Sequence, residues 1–429
     1  MAGARAVVLV VPAAIYFLSY FHRVAPGVVS ADLMQAFSIT AASLGVLAAI
    51  YPYVFVAMAF VAGSLVETLG PRLTLASGAT TMAVGTALFG LAPVFSIAVA
   101  GRLLVGLGAS VILIAWLTLA ARWYRPERFA TISGATQTVG NVGALVASSP
   151  LALAVEAIGW RSAFVAIGAA TFLLALVALV LVRDRPEAAG VASVSSERRE
   201  GAPSLAHVLA SIPEVVTNAR SWPPLLAAAG VYATIATLLG LWGIPYLTQV
   251  YGLGRVAAAN TTAWLAVGIV VGAPLIGWLS DRRLGLRKLP LVGCTALYAV
   301  CWIALVAPGE LRPPVAMLGP LFFVMGLTAS SLILVWSCVR EVNNPAHVGI
   351  VIGFCNAPIF LAFGLLQWLL GTILDASWAG LAAGGVRIYP EGGYRAAFGV
   401  CLALAAGSLA MALLVTETRC RNIWRRAAH

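Results

Sequence analysis

The sequence predicts an all-α integral membrane protein with twelve transmembrane helices in two pseudo-symmetric six-helix bundles. Three observations carry this expectation. Apolar residues make up 61% of the 429 positions and charged residues 10%, a balance that a water-facing surface of this size does not support. Segments of about 20 apolar residues, the length a helix needs to cross a bilayer, can be placed twelve times. A short polar phrase occurs twice, GSLVETLGPR from Gly63 to Arg72 and GWLSDRRLGLRK from Gly277 to Lys288, and its two start points lie 214 residues apart.

Taken in order, the spans are 6–30, 41–66, 73–92, 96–121, 129–154 and 162–182 in the first half. In the second they are 224–250, 257–280, 289–307, 315–340, 347–374 and 395–416. The N-terminus carries one Arg and then a span with no small-residue cleavage site before polar sequence, so it reads as a retained first helix rather than a removed signal peptide. The hydrophilic stretch at 188–222 separates an N-terminal bundle, 1–187, from a C-terminal bundle, 223–429. It reads as a cytoplasmic linker. Leu205, Val208, Leu209, Ile212, Val215 and Val216 share a helical face there, which suggests a surface amphipathic helix strained by Pro213; a disordered linker is the alternative.

The net charge of +11 is distributed by side. With both termini cytoplasmic, 19 of the 26 Lys and Arg residues fall on the cytoplasmic side, five on the other, and Arg23 and Arg102 inside spans. That is the positive-inside pattern of a multi-pass protein of the cell inner membrane, in contact with anionic lipid. It removes the nucleic-acid reading. The six cysteines form no CxxC pair and read as packing residues, with no metal site and no cofactor implied. No nucleotide-binding loop or nucleophile triad is present, which argues against an enzyme or an ATP-driven pump.

The repeat reaches beyond the loop phrase. Leu33, Gln35 and Phe37 align with Leu247, Gln249 and Tyr251; Gly106, Trp116 and Gly134 with Gly326, Trp336 and Gly353; and GWRSAF from Gly159 with GYRAAF from Gly393. Six crossings return the chain to its starting side, so the halves run parallel.

On these motifs the chain resembles the major facilitator superfamily. The first loop phrase is similar to that family's signature between helices two and three, with Glu67 where Asp is usual; the second keeps Asp281 and inserts a residue before Gly285. Arg102, Gly106 and Gly108 are similar to the RxxxGxG pattern of its fourth helix. The resemblance covers the whole chain and implies the fold more than the substrate. It assigns Glu67, Arg72, Asp281 and Arg287 to gating at the cytoplasmic mouth, where Glu67 can accept bonds from Arg72 or a facing helix end. The alternative for the basic residues is topology alone. Arg102 reads as a structural or coupling residue that binds backbone carbonyls.

Arg23, deep in the first span within HRVAPG, is costly unless it meets a cavity, a partner or the interface. Its fork suits an anionic solute; snorkelling towards the far interface is the alternative. Its repeat partner is Thr237, so the charge is no symmetric scaffold element. SYFHRVAPGVVSADL resembles the first helix of organic anion transporters in the anion:cation symporter group, which usually carry Asp-Arg here. His22 stands in place of that Asp, so the carboxylate that couples protons in those proteins does not carry over. His22 itself titrates in a useful range and is the candidate for proton coupling, against an ordinary packing histidine.

No acidic residue lies near the middle of a span, which counts against an exporter of cationic drugs. Gly140-Asn141-Val142-Gly143 is similar to a phrase of nitrate and nitrite porters, but the paired membrane arginines those proteins need are missing, so Gly140 and Gly143 read as helix-packing residues. Gln137 and Asn356 are repeat partners, and Tyr20, Tyr51, Tyr232, Trp242 and Trp336 supply aromatic walls; with Arg23 they form the expected substrate-binding set. Each is by itself more ordinary as packing.

The expected protein is a monomeric secondary transporter that moves a small organic anion, such as a monocarboxylate, by alternating access, coupled to a proton or another ion. The alternatives are an exporter of hydrophobic or amphipathic compounds and a non-transporting membrane sensor or assembly factor.

Overall fold

A computed structural model describes residues 2–59, 61–124, 126–189, 213–214, 216–344 and 348–424. Among them are twelve helical stretches long and apolar enough to span a membrane. The protein is therefore an all-α multi-pass membrane protein. The chain divides into two compact units, Met1–Ser38 with Leu47–Glu200, and Ile39–Val46 with Gly201–His429.

The first unit contains α1 (Ala2–Val28), α2 (Ser30–Phe37), most of α3 (Ala41–Met58), α4 (Val61–Leu69), α5 (Pro71–Leu91), α6 (Phe95–Trp123), α7 (Pro126–Val146), α8 (Ser149–Ile158) and α9 (Trp160–Leu181). The second contains α10 (Trp222–Thr237), α11 (Gly243–Tyr251), α12 (Arg255–Trp278), α13 (Lys288–Val306), α14 (Val315–Ala329), α15 (Leu332–Val342), α16 (Val348–Ala376) and α17 (Glu391–Leu414). A two-residue hairpin, β1 (Ala382–Ala383) with β2 (Val386–Arg387), joins α16 to α17.

Several expected spans are interrupted rather than continuous. The second is split between α3 and α4, and the fifth between α7 and α8, where Pro150 opens the new helix because a proline cannot donate in a helix interior. The tenth turns at Ser330 and Ser331 between α14 and α15. The seventh passes through a π-helical turn, Leu238–Trp242, three residues before Pro245. Of the expected amphipathic face, Leu205, Val208, Leu209, Ile212 and Val215 lie outside the described residues.

Close helix contact rests on glycine, as membrane packing requires where no hydrophobic force joins helices. A Cβ on Gly108 would sit 2.2 Å from the Gly78 carbonyl oxygen of α5, whereas one on Gly106 would meet Val54 of α3 at 3.2 Å. The two glycines of RxxxGxG thus seat α6 against two different helices. In the second unit Asp375 accepts from the Ala41 and Ala42 amides, at 3.1 and 2.8 Å, and from the Tyr389 hydroxyl at 2.8 Å. A carboxylate there completes the open N-terminal donors of a helix.

Candidate functional site: a cationic cluster on the first helix

Tyr16, Ser19, Tyr20 and Arg23 recur at three- and four-residue spacing on α1 and therefore share a face. Arg23 lies over the Tyr20 ring, 4.1 Å from its centroid, and approaches Tyr51 at 5.5 Å and Phe55 at 5.7 Å. Each such cation–ring contact is worth about 0.5–2 kcal/mol. Tyr51 is 1% exposed and donates its hydroxyl to the Ser19 carbonyl at 3.0 Å, which ties α3 to α1. Tyr20 is backed by Gly140 of α7, where a Cβ would stand 3.0 Å from the ring.

A second guanidinium reaches the same tyrosine. Arg102 of α6 is 2% exposed and lies 5.6 Å from the Tyr51 centroid. Its Nη1 donates to the His22 carbonyl at 2.8 Å, and its Nε has no hydrogen-bond partner among the described residues. Two cations on one buried ring raise the local positive potential in a medium that screens it poorly.

His22 is 1% exposed and its Nε2 lies 3.2 Å from Thr86 Oγ1. That hydroxyl donates to the Met82 carbonyl at 2.7 Å, so the imidazole Nε2 supplies the proton of the pair, and this tautomer follows from the network. His22 is thus held by Thr86 at its ring and by Arg102 at its carbonyl.

Of the remaining expected site residues, Gln137 belongs to the first unit and the others to the second. The Gln137 side chain lies outside the described residues. In the second unit Tyr232 packs on Phe360 and Phe363, at centroid distances of 5.5 and 5.9 Å. Tyr232 and Trp336 border one apolar cluster with Cys355 and Ile359; Asn356, on α16 between those two, is half-buried. Trp242 is 1% exposed in the π-helical turn.

The loop phrases behave differently from each other. Arg72 turns away from Glu67, which is exposed. Its Nε donates at 2.9 Å to the Leu179 carbonyl near the end of α9, which Nη2 also contacts, and its amide donates to Asp184 at 2.8 Å. The expected Glu67–Arg72 bond is replaced because Gly70, at φ +81°, turns the chain so that α5 begins against Asp184.

In the second unit Arg287 contacts Asp281 and bonds Ser280 at 3.0 Å and Glu341 at 2.9 Å. Arg287 and Glu341 are 6% and 4% exposed. Burial disfavours the charged guanidinium, but the Glu341 and Asp281 carboxylates outweigh it and hold the Arg287 pKa above its ordinary value. Glu417 accepts from the amides of Arg287, Lys288 and Arg419. Burial raises its pKa, yet those amide bonds prevail and hold it below the usual carboxylate range.

Asp184, Glu341 and Glu417 were not among the expected site residues. The repeat held a signal for two of them: the register that pairs Gly159 with Gly393 carries Asp184 to Thr418, one residue from Glu417.

The Major Facilitator Superfamily model matches residues 13–356. The chain is 24% identical to the membrane sensor protein UhpC of Salmonella typhimurium over 86% of this chain and 85% of that one. It is 25% identical to the probable sulfoacetate transporter SauU of Cupriavidus necator over 65% of each. Among solved structures, a bacterial homolog of the human lysosomal transporter Spinster, inward-facing and unoccupied, superposes with a TM-score of 0.79 at 18% identity, covering 96% of this chain and 97% of that one. The non-enzymatic, twelve-span architecture and the matched family model agree, and the chain belongs to the Major Facilitator Superfamily.

Proposed function

We propose that this chain is a secondary transporter of a small organic anion, working by alternating access, with the anion held at Arg23. The observation that carries the reading is the pair of guanidiniums, Arg23 and Arg102, at 5.5 and 5.6 Å from the ring of one buried tyrosine. A membrane interior penalises each charge, and an anion near the pair lowers that penalty. Arg102, spent on the His22 carbonyl, holds the helix that presents Arg23. A chain similar to a probable sulfoacetate transporter supports an anionic solute. The same charge asymmetry that predicts the topology supports an inner-membrane protein with cytoplasmic termini.

Proton coupling through His22 has less support. Its donor is committed to Thr86 and its carbonyl to a guanidinium. A sensor reading is favoured by one observation, the likeness to UhpC over 86% of the chain.

Uptake into proteoliposomes separates these readings. Purified protein is offered radiolabelled propionate, lactate and sulfoacetate beside a lipophilic cation, with and without a pH gradient. Saturable anion uptake is the expected result. Cation movement alone indicates an exporter of amphipathic compounds, and saturable binding without flux indicates a sensor.

A further inference from the structure

Beyond its last span the chain forms a strap. α17 ends at Leu414, and Thr418 to Ile423 are then fastened to two segments of the same unit. The Thr418 hydroxyl bonds Glu341, the Asn422 side-chain amide donates to the Arg340 and Asn343 carbonyls at 3.1 and 3.0 Å, and the Ile423 amide donates to the Glu341 carbonyl at 2.8 Å. Cys420 Sγ lies 3.8 Å from the Ser280 carbonyl oxygen. The end of α15 and the second loop phrase therefore hold the strap in place.

The strap is bent against its own preference. Arg419 and Cys420 are consecutive at φ 53° and 58°, and the Arg421 amide closes the turn on the Thr418 carbonyl at 3.2 Å. Turns with two left-handed centres ordinarily take Asn and Gly, because a Cβ is unfavourable there. Strain of this kind persists where surrounding contacts over-determine it, and it clusters at ligand sites. Here it brings Arg419 and Arg421 to one groove of about 710 Å³, lined also by Gly285 of the loop phrase and by Ile423 and Trp424.

The groove's chemistry is one-sided. No acidic residue lines it, and neither guanidinium has a carboxylate partner among the described residues. Glu417, beside the turn, is spent on backbone amides, and Glu341 on Arg287. Guanidinium and indole N–H groups donate without accepting, so the matching ligand is an anion rich in acceptor oxygens. A phosphate has oxygens enough for two forks, where one carboxylate is filled by a single bidentate partner. We infer that this groove in the second unit binds a phosphate group. Leu413 and Leu414, 53% and 63% exposed, close the last span just before it, and the end of a span is where lipid headgroups begin. A soluble phosphate presents the same oxygens. The site does not depend on the organic-anion reading.

The test titrates the full chain in detergent with a short-chain phosphatidylglycerol and, separately, with radiolabelled inorganic phosphate. Bound lipid is counted by native mass spectrometry and bound phosphate by equilibrium dialysis. Wild type is expected to bind at least one of them saturably. Arg419→Asn combined with Arg421→Gln should weaken that binding at least about tenfold, and Asn keeps the left-handed centre of the turn. Arg421→Gln alone leaves that centre untouched and should weaken binding about threefold. Arg282→Gln combined with Arg283→Gln removes the same charge from exposed positions outside the groove lining and should leave binding within about twofold. Lipid bound without phosphate makes the groove a headgroup site, phosphate without lipid makes it a site for a soluble ligand, and competition between them makes it one site for both. Unchanged binding in the Arg419 and Arg421 variants, an equal loss in the Arg282 and Arg283 control, or no saturable binding of either probe overturns the assignment.

Discussion

The interiors of the two units differ at repeat-related positions. In the first, His22, Arg23, Tyr51 and Arg102 form a cationic cluster on α1. The registers that align Gly63 with Gly277 and Gly106 with Gly326 carry those four positions to Ala236, Thr237, Leu265 and Phe322. Thr237 is 1% exposed, and Leu265 and Phe322 are both 0%. One unit therefore carries a buried and a half-buried positive charge where the other buries hydrocarbon and a hydroxyl. The helical scaffold is shared between the units while its charge diverges.

The loop-phrase ends diverge in the opposite sense. Both units cap the helix after the loop phrase with a carboxylate from the chain following their last helix, Asp184 on Arg72 and Glu417 on Arg287 and Lys288. Among the described residues, the second unit adds a buried Arg287–Glu341 pair. The largest effect is expected there: Glu341→Ala removes the buried partner of the Arg287 guanidinium, leaving Ser280 and the exposed Asp281, and should cost about 3 kcal/mol, read as a lowered thermal transition in detergent. Retained stability would mean the pair contributes no more than the exposed ends of the first unit.

A smaller difference separates the two turn glycines. Gly70 has φ +81° and ψ 152°, and a Cβ there would stand 3.2 Å from Asp184 Oδ2. Gly70→Ala should cost about 1–3 kcal/mol. Gly285, at φ 62° and ψ 26°, lies in the left-handed region that Asn tolerates and meets nothing within 4 Å. Gly285→Asn should therefore shift the melting temperature little. Equal losses at the two sites would erase the distinction.

The cap on α13 has a pH signature. The Glu417 pKa is held below its ordinary value, so its stabilisation is complete above the unfolded value of about 4.3. It is lost as pH falls through the lower folded value. Glu417→Gln should cost about 1 kcal/mol at neutral pH and flatten the acid limb of the stability curve. An unchanged limb would remove Glu417 from it.

The sequence made the duplication, the number of spans and the odd arginine on α1 legible, because each is a property of local composition or of register between two copies. It did not reveal the partners of Arg72. Those depend on where α9 ends, and a carboxylate more than a hundred residues away occupies the helix start that nearby Glu67 was expected to serve. Glu341 was hidden for a similar reason: an acid at the end of a span reads as exposed until Arg287 is seen to cover it. The π-helical turn was equally invisible, since apolar periodicity carries no mark of one inserted residue. On α1, by contrast, Arg23 and Tyr20 were both marked in the sequence, because an arginine deep in an apolar span needs a partner.

The central claim is that Arg23 is what makes the first unit an anion site, and Arg23→Thr tests it by giving that position the residue its repeat partner holds. Carboxylate uptake into proteoliposomes should fall at least about tenfold, the loss of one charge-assisted contact, while the protein stays monodisperse. Arg23→Thr protein that takes up carboxylate at the wild-type rate would contradict the account.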